Sequence, residues 1–380
     1  MTPNHDLHLG LVGVGCRGHL ARLAHRPGKG SRIRACFDPD PGILEQAKTI
    51  YGGDVVTTGN LEALLAQDLD GIIICSPDSF HEEQACAALR AGKAVYLEKP
   101  MALSREGCDR ILDTARETGQ LLFLGHNMRH MPFIQLMRDC IMRGGIGEVK
   151  SVWCRHFVGH GGDYYFKDWH ADRRTCNGLL LQKGCHDLDI IHWLSGERSL
   201  QVQAFGALQV YGDPAMRRAH PLPRPPRDQN ETWPPAAQSE LNPVVDVEDI
   251  SLVNLRLGGG KLAAYQQCHF TPDYWRSYTV IGTEGRMENR GDTAEGAEIH
   301  IWNRRHSGFS EPDLRLRVPT RKGGHGGADE RIISEFLSCL RGDSQPSITP
   351  LAARDAVAAA SAATISLRNR GVPVDIPPYQ

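Results

Sequence analysis

Over residues 1–125 short apolar runs alternate with amphipathic segments, and this alternation constrains the fold more than any other feature of the chain. LHLGLVGVG runs as a strand into glycine, HLARLAHRP has helical periodicity, and SRIRACFDPD is a second strand ending in acid. PGILEQAKTIYGG reads as a helix closed by glycines. GIIICSP, AVYLEKP and LLFLGHN are further strands, separated by the helices HEEQACAALRAGK and REGCDRILDTARETGQ. Strands apolar on both faces and divided by helices predict βαβ units and a parallel sheet covered on both sides.

The pattern then changes. From 126 to 380 we expect a second domain of α+β type with a large, mostly antiparallel open sheet. A helix at MPFIQLMRDCIMRGG precedes the strand GEVKSVWCRHFVGH, an aromatic loop, and a helix over LQKGCHDLDIIHWLSG. Strands follow at VQAFGALQVYG, EDISLVNLRLGGGKLAAYQQCHF, SYTVIGTEGRMEN and AEIHIWNR, and helices between 328 and 370 close the chain. Residues 212–246 are too rich in proline for a helix or a central strand and predict a long surface insertion.

A chain of 380 residues is long enough for two cores. Its net charge of −2 gives no electrostatic case for nucleic acid or an anionic membrane. No stretch approaches the roughly 20 apolar residues of a membrane helix. MTPNHDLHLG lacks the features of a signal peptide, so a cytoplasmic location is expected. The 11 cysteines are scattered with no CxxC pair, which fits reduced, buried thiols.

GVGCRG places Gly13, Gly15 and Gly18 in a G-x-G-x-x-G pattern between the first strand and the first helix. That context is what a dinucleotide loop requires. The first glycine turns the chain, the second lets backbone reach a pyrophosphate, and the third packs helix on strand. Cys16 and Arg17 lie in the same loop. Asp38 ends the second strand about twenty residues further on, where a carboxylate accepts from a ribose and repels a 2′-phosphate. NAD is therefore expected over NADP, with Arg17 and Arg34 as possible phosphate partners. Ligands sit beyond the carboxyl ends of parallel strands. Ser76, Pro77 and His81 after one strand, Glu98 and Lys99 after the next, and Asn127 after the last are accordingly candidate cofactor contacts.

GVGCRG, FDPD, CSPDSFH, EKPMA and GLLLQKGCHDLDIIHWL together resemble the Gfo/Idh/MocA oxidoreductases, the family of glucose-fructose oxidoreductase and the inositol dehydrogenases. The likeness covers most of the chain. It implies an N-terminal Rossmann domain, a C-terminal domain whose open sheet commonly serves as an oligomer interface (a dimer or tetramer), and hydride exchange between a carbinol carbon and nicotinamide. It places Lys99 beside the nicotinamide and the substrate hydroxyl. The family's Asp-x-Gly-x-His-x-x-Asp pattern falls on Gln182, Gly184, His186 and Asp189. His186 fits the catalytic histidine, while Gln182 stands where an aspartate is usual. A neutral amide cannot act as a base or stabilise a charged imidazole as a carboxylate does. Lys183 does not simply replace it, because adjacent helical residues point about 100° apart.

Oxidising a carbinol needs a base for the hydroxyl proton. Either Lys99, if desolvated beside a cationic ring, or His186 meets that need. We assign His186 as acid/base, with Lys99 holding the hydroxyl or sharing its proton, and include Gln182 among the catalytic positions. Candidate sugar contacts are Lys99, Arg129, Trp169, His170, Arg173, Lys183 and His186. HDLDIIH invites a metal reading, but His192 lies nearly two turns beyond His186, so no metal is expected. Three functions result. The first is an NAD-dependent oxidoreductase acting on a secondary alcohol of a sugar, glycoside or cyclitol. The second retains its NAD and cleaves glycosides through transient oxidation at C3; GHGGAD resembles that branch. The third is a non-catalytic NAD- or sugar-sensing protein.

Overall fold

The computed structural model describes residues 5–218 and 232–380, and the chain divides into two compact units. The first comprises residues 1–127 and 327–354. Its sheet contains β1 (Leu7–Val12), β2 (Ser31–Phe37), β3 (Val56–Thr58), β4 (Gly71–Ile74), β5 (Ala94–Leu97) and β6 (Leu122–Leu124). The order is β3-β2-β1-β4-β5-β6, every pairing is parallel, and β4 and β5 are buried throughout. This is the doubly wound arrangement that the alternation demands. Local signals set the helices: Asp40 caps Pro41–Tyr51 through the Gly42 and Ile43 amides, and Ser104 caps Arg105–Thr118, which ends at left-handed Gly119.

Two features depart from the sequence expectation. The segment after the glycine loop, Cys16–Ala24, is a 3-10 helix. Gly15 supplies no side-chain cap, and the Gly18 amide bonds the Gly15 carbonyl at 2.8 Å, so the turn tightens. Residues 327–354 belong to the first unit, although we expected them in the block 126–380. Ile332, Ile333 and Phe336 of helix Ala328–Leu340 are fully buried in one cluster with Ile73, Tyr96 and Phe123. Apolar burial of that size decides where a helix docks.

The second unit comprises residues 128–326 and 355–380. Its strands are β7 (Val149–Val158), β8 (Ser199–Ala207), β9 (Ile250–Leu257), β10 (Leu262–Cys268), β11 (Tyr274–Gly282), β12 (Arg286–Arg290), β13 (Glu298–Trp302), β14 (Leu314–Arg317) and β15 (Val374–Asp375). They form one nine-stranded sheet in the order β14-β13-β12-β11-β7-β10-β9-β8-β15. All pairs are antiparallel except β7 with β10. Helix Gly184–Ser195 packs against β7 and β10. The proline-rich segment is only partly a surface feature. Residues 219–231 lie outside the described residues, but Leu241, Val245 and Val247 are buried with Phe166 and Tyr211. Among the described residues, no helix is long and apolar enough to cross a membrane.

Candidate active site

In the nucleotide unit the three loop glycines do different work. Gly13 has φ +82°, and a Cβ there would meet the Ser76 amide nitrogen at 2.6 Å. A Cβ on Gly18 would meet the Gly13 carbonyl oxygen at 2.5 Å. Around Gly15, which is exposed, a Cβ would find nothing within 4 Å. The outer glycines thus answer to packing, while the middle one fronts open space. Asp38 is buried at the end of β2. It accepts from the Val14 amide at 3.0 Å through Oδ2 and from the Asp40 amide at 3.0 Å through Oδ1. The carboxylate therefore braces the glycine loop from the position expected of a ribose acceptor.

Arg17 is committed elsewhere than to phosphate. Its Nε donates to Glu98 at 2.9 Å, and its Nη1 and Nη2 donate to Asp329 at 3.3 and 3.1 Å. Against the cost of burial, those two carboxylates hold the guanidinium above its usual pKa. Asn127 donates to the same Asp329 at 2.7 Å. Glu98 is buried and also accepts from Tyr96 Oη at 3.3 Å, so this strand-end charge faces inward; Lys99 beside it is partly exposed. Arg34, the other cation considered for phosphate, pairs with exposed Asp54.

Ser76 and Pro77 are partly exposed beyond β4, and Cys16 is exposed at the start of its helix. His81, expected to face the cofactor, is buried. Its ring lies between two backbone carbonyls, Nδ1 at 2.6 Å from Pro100 and Nε2 at 3.0 Å from Ser76. Burial pulls its pKa down, and the two carbonyls act in the opposite sense. His81 joins the ends of β4 and β5 rather than offering its ring to a ligand.

In the second unit, the helix expected to run continuously over LQKGCHDLDIIHWLSG is broken. Leu179–Gln182 and Gly184–Ser195 are separate helices joined at Lys183 (φ −100°, ψ −46°). A Cβ on Gly184 would stand 3.0 Å from the Tyr265 ring, so glycine lets the second helix lie close to the sheet. Gln182 and His186 are buried on either side of this break. Asp187 is the hub beneath them. It accepts from Tyr265 Oη at 2.9 Å, Tyr278 Oη at 2.5 Å and Arg276 Nε at 3.0 Å, with His156 Nδ1 3.0 Å away. Despite complete burial, Arg276 and His156 hold its carboxyl well below the usual range. Burial, reinforced by Arg276, pushes His156 down to about 4. Asp189 is clamped by Arg129, so the guanidinium we expected on a sugar is occupied within the helix's own support. His192 accepts from the Ser199 amide at 3.2 Å, with Ser199 Oγ 2.7 Å from the same nitrogen. Among the described residues, no cluster suited to a metal occurs.

His170 stacks on Trp169 with centroids 3.7 Å apart, meets Tyr165 edge-on at 5.2 Å, and is held by the Asp168 carboxylate. Lys183 Nζ lies 4.5 Å from the centroid of the same Tyr165 ring. The fold therefore brings His170 and Lys183 to the Tyr165 ring, with Trp169 stacked on the other side of the contact through His170. Arg173 is turned outward, where its amide and guanidinium engage Asp246.

Sequence reasoning missed the floor beneath this helix. Gln267, His156 and Arg276 stand in register across β10, β7 and β11, and Tyr265, Cys154 and Tyr278 form the neighbouring row. The signal was present in WCRHFV, AYQQCHF and YWRSYTV, where polar side chains recur at alternate positions on what proves to be the inner face.

Residues 7–126 match the family model described as "Oxidoreductase family, NAD-binding Rossmann fold", and residues 138–376 match "Oxidoreductase family, C-terminal alpha/beta domain". Inositol 2-dehydrogenase of Rhizobium meliloti (strain 1021) is 30% identical over 206 residues, covering 54% of this chain and 59% of the relative. The chain thus spans less than two thirds of that protein. Levoglucosan dehydrogenase in complex with NADH superposes with a TM-score of 0.80 at 18% identity, covering 98% of this chain and 100% of the other. The WlbA dehydrogenase from Bordetella pertussis, in complex with NADH and UDP-GlcNAcA, gives 0.73 at 22%, covering 98% and 99%. At those identities the structures attest the fold alone. The two family matches, which together take in nearly the whole chain, place it in the Gfo/Idh/MocA oxidoreductase family, with an N-terminal NAD-binding Rossmann domain.

Proposed function

We propose that this chain is an NAD(H)-dependent oxidoreductase moving a hydride between nicotinamide and a secondary alcohol of a sugar, glycoside or cyclitol. The observation that carries the reading is the glycine loop: Gly13 and Gly18 closed by packing, Gly15 facing open space, and Asp38 fixed behind them. Bound NAD⁺ supplies the electron-poor ring that accepts the hydride. His186 takes the hydroxyl proton as the C–H electron pair leaves, and returns it in the reverse direction. Lys99 holds the hydroxyl oxygen, the role the family resemblance implies. Gln182 orients without charge, so the carboxylate that usually assists the imidazole is absent at that position. Asp187 and its sheet partners fix the helix carrying His186, which keeps the base in one geometry.

The cofactor is NAD in preference to NADP, because a carboxyl group, Asp38, stands at the ribose end of the loop and both nearby arginines are paired. The relative named for inositol supports a polyol substrate. Self-association through the nine-stranded sheet is supported by Trp153, Leu252, Leu262 and Ile281, which stand exposed on its outer face. The decisive experiment presents purified protein with NAD⁺, NADP⁺ and a panel of sugars, glycosides and cyclitols while NADH absorbance is followed. Failure to bind NAD(H), or to reduce it with any alcohol, would sink the reading.

One observation favours the second reading, glycoside cleavage with retained NAD. Asp329 bonds both Arg17 and Asn127, tying the start of helix Ala328–Leu340 to the glycine loop, as a cofactor that stays bound would require. Release of an aryl aglycone without added NAD distinguishes this cycle, since a simple dehydrogenase consumes cofactor stoichiometrically.

A further inference from the structure

Lys183 caps the break between two helices, three residues before His186. Its ammonium rests over the face of Tyr165, and among the described residues it makes no hydrogen bond or ion pair, although the Tyr274 phenol and Asp187 act on it electrostatically. The nearby carboxylates are already used. Asp187 serves Arg276, Tyr265 and Tyr278, while Asp168 holds the backbone amide and ring of His170. Gln182 puts a neutral amide where the family pattern has a third carboxylate. His269 packs edge-on against the same Tyr165 ring, completely buried, with neither ring nitrogen hydrogen-bonded. An ammonium with unused donors thus shares an aromatic platform with a second unsatisfied polar group.

From this geometry we propose that Lys183 selects a substrate bearing a carboxylate, a sugar acid of the uronate class, over its neutral counterpart. The proposal rests on the sugar-oxidoreductase reading and deepens it. A carboxylate matches one ammonium in charge, whereas a phosphate dianion calls for a further cation, and Arg276 already donates to Asp187 and to the Tyr274 hydroxyl. Burial depresses the lysine below its ordinary pKa, and an anion bound there offsets that penalty.

The test is calorimetric titration of the NADH-loaded protein with glucuronate and galacturonate, against glucose, galactose and glucose 6-phosphate. The acids should bind about tenfold or more tightly than the neutral sugars. Lys183→Met keeps the packing on Tyr165 and should erase that preference, while Lys183→Arg should keep part of it; thermal melts establish that both variants are folded. Equal binding of acid and neutral sugar by the wild type overturns the proposal whatever the variants do. So does a preference that survives in folded Lys183→Met, or tighter binding of the phosphate. Hydride transfer is scored separately. Turnover of neutral sugars without acid preference removes this inference and leaves the oxidoreductase standing. Lys183-dependent uronate binding without any hydride transfer does the reverse.

Discussion

Arg129 donates to both carboxylate oxygens of Asp189, Nε to Oδ2 at 2.8 Å and Nη2 to Oδ1 at 2.6 Å, in a buried pair one helical turn beyond His186. The planar fork of the guanidinium matches the carboxylate, and its fixed geometry anchors the helix that carries the base. Trp193 offers its ring to the same guanidinium at 5.5 Å. Removing one partner strands a buried charge. Arg129→Met or Asp189→Asn should therefore destabilise the protein by about 3–5 kcal/mol, read from urea unfolding. Replacing both by apolar residues should recover much of that loss. Stability unchanged in the single variants would mean that the pair does not hold the helix.

The glycine loop separates folding from binding. Gly18→Ala drives a methyl against the Gly13 carbonyl, a backbone atom that cannot swing away, and should cost about 1–3 kcal/mol of stability. Gly15→Ala meets open space and should change stability by less than about 1 kcal/mol. Its methyl would nevertheless occupy the approach to a pyrophosphate, so NADH affinity should fall by on the order of tenfold or more. Fluorescence titration of NADH alongside melting curves checks both halves. Undiminished binding by Gly15→Ala would remove the loop from the cofactor site.

Coenzyme choice should follow Asp38. The wild type should prefer NADH over NADPH by on the order of a hundredfold, and Asp38→Ser should narrow the gap mainly by improving NADPH binding. Asp38 also holds the Val14 amide, so serine, which can accept one of those bonds, is a better probe than alanine. Equal affinity for the two coenzymes in the wild type would refute the assignment.

Buried neutral histidines set the acid limb of stability. Burial first, then Arg276, brings His156 down to about 4 in the folded protein, and burial brings His192 to about 4 with Asp189 opposing. Unfolded histidine titrates near 6.5. As pH falls from about 6.5 to 4, the unfolded chain takes up protons that the folded chain refuses, so stability is complete above 6.5 and is lost on the way down. Each histidine contributes a slope of up to about 1.4 kcal/mol per pH unit in that window. Asp187, held low, begins to matter only below its ordinary 3.8. Melting temperatures between pH 7.5 and 4.5 should fall steeply below 6.5, and less steeply in His192→Asn. A flat profile down to pH 5 would contradict the burial of these rings.

How much of this was readable in the sequence depends on the range of the interaction. The βαβ alternation, the glycine loop and Asp38 follow from local periodicity and turn chemistry, and all three stand where the pattern put them. The docking of Phe336 beside Tyr96 and Phe123 is non-local, and no pattern within helix Ala328–Leu340 reveals which unit will bury it. Arg17 looked like a phosphate ligand because Asp329, its partner, lies over 300 residues away in the chain. The polar rows under Asp187 were hidden for another reason. Tyr, Gln, His and Arg at alternate positions read as an ordinary solvated strand face until a helix covers them. The break at Lys183 had no proline or cap to announce it.

Lys99 bears the sharpest prediction. It follows Glu98, which turns inward to Arg17 and Tyr96, so the chain at this strand end is held by its neighbour and leaves Lys99 partly exposed. Were it ordinary surface, Lys99→Ala would alter stability by no more than roughly 0.5 kcal/mol and leave catalysis intact. If it holds the reacting hydroxyl, Lys99→Ala should lower kcat by on the order of 10² or more while NADH affinity barely moves. Lys99→Arg should not rescue, because a guanidinium stays protonated and is too bulky for the same contact. His186→Gln should lower kcat at least as far, and its residual rate should lose whatever pH dependence the wild type owes to this base. Steady-state kinetics over pH on these variants, with cofactor binding measured apart, separate the two roles. Near-wild-type turnover in Lys99→Ala would return this residue to the status of a surface charge and leave His186 as the whole of the proton chemistry.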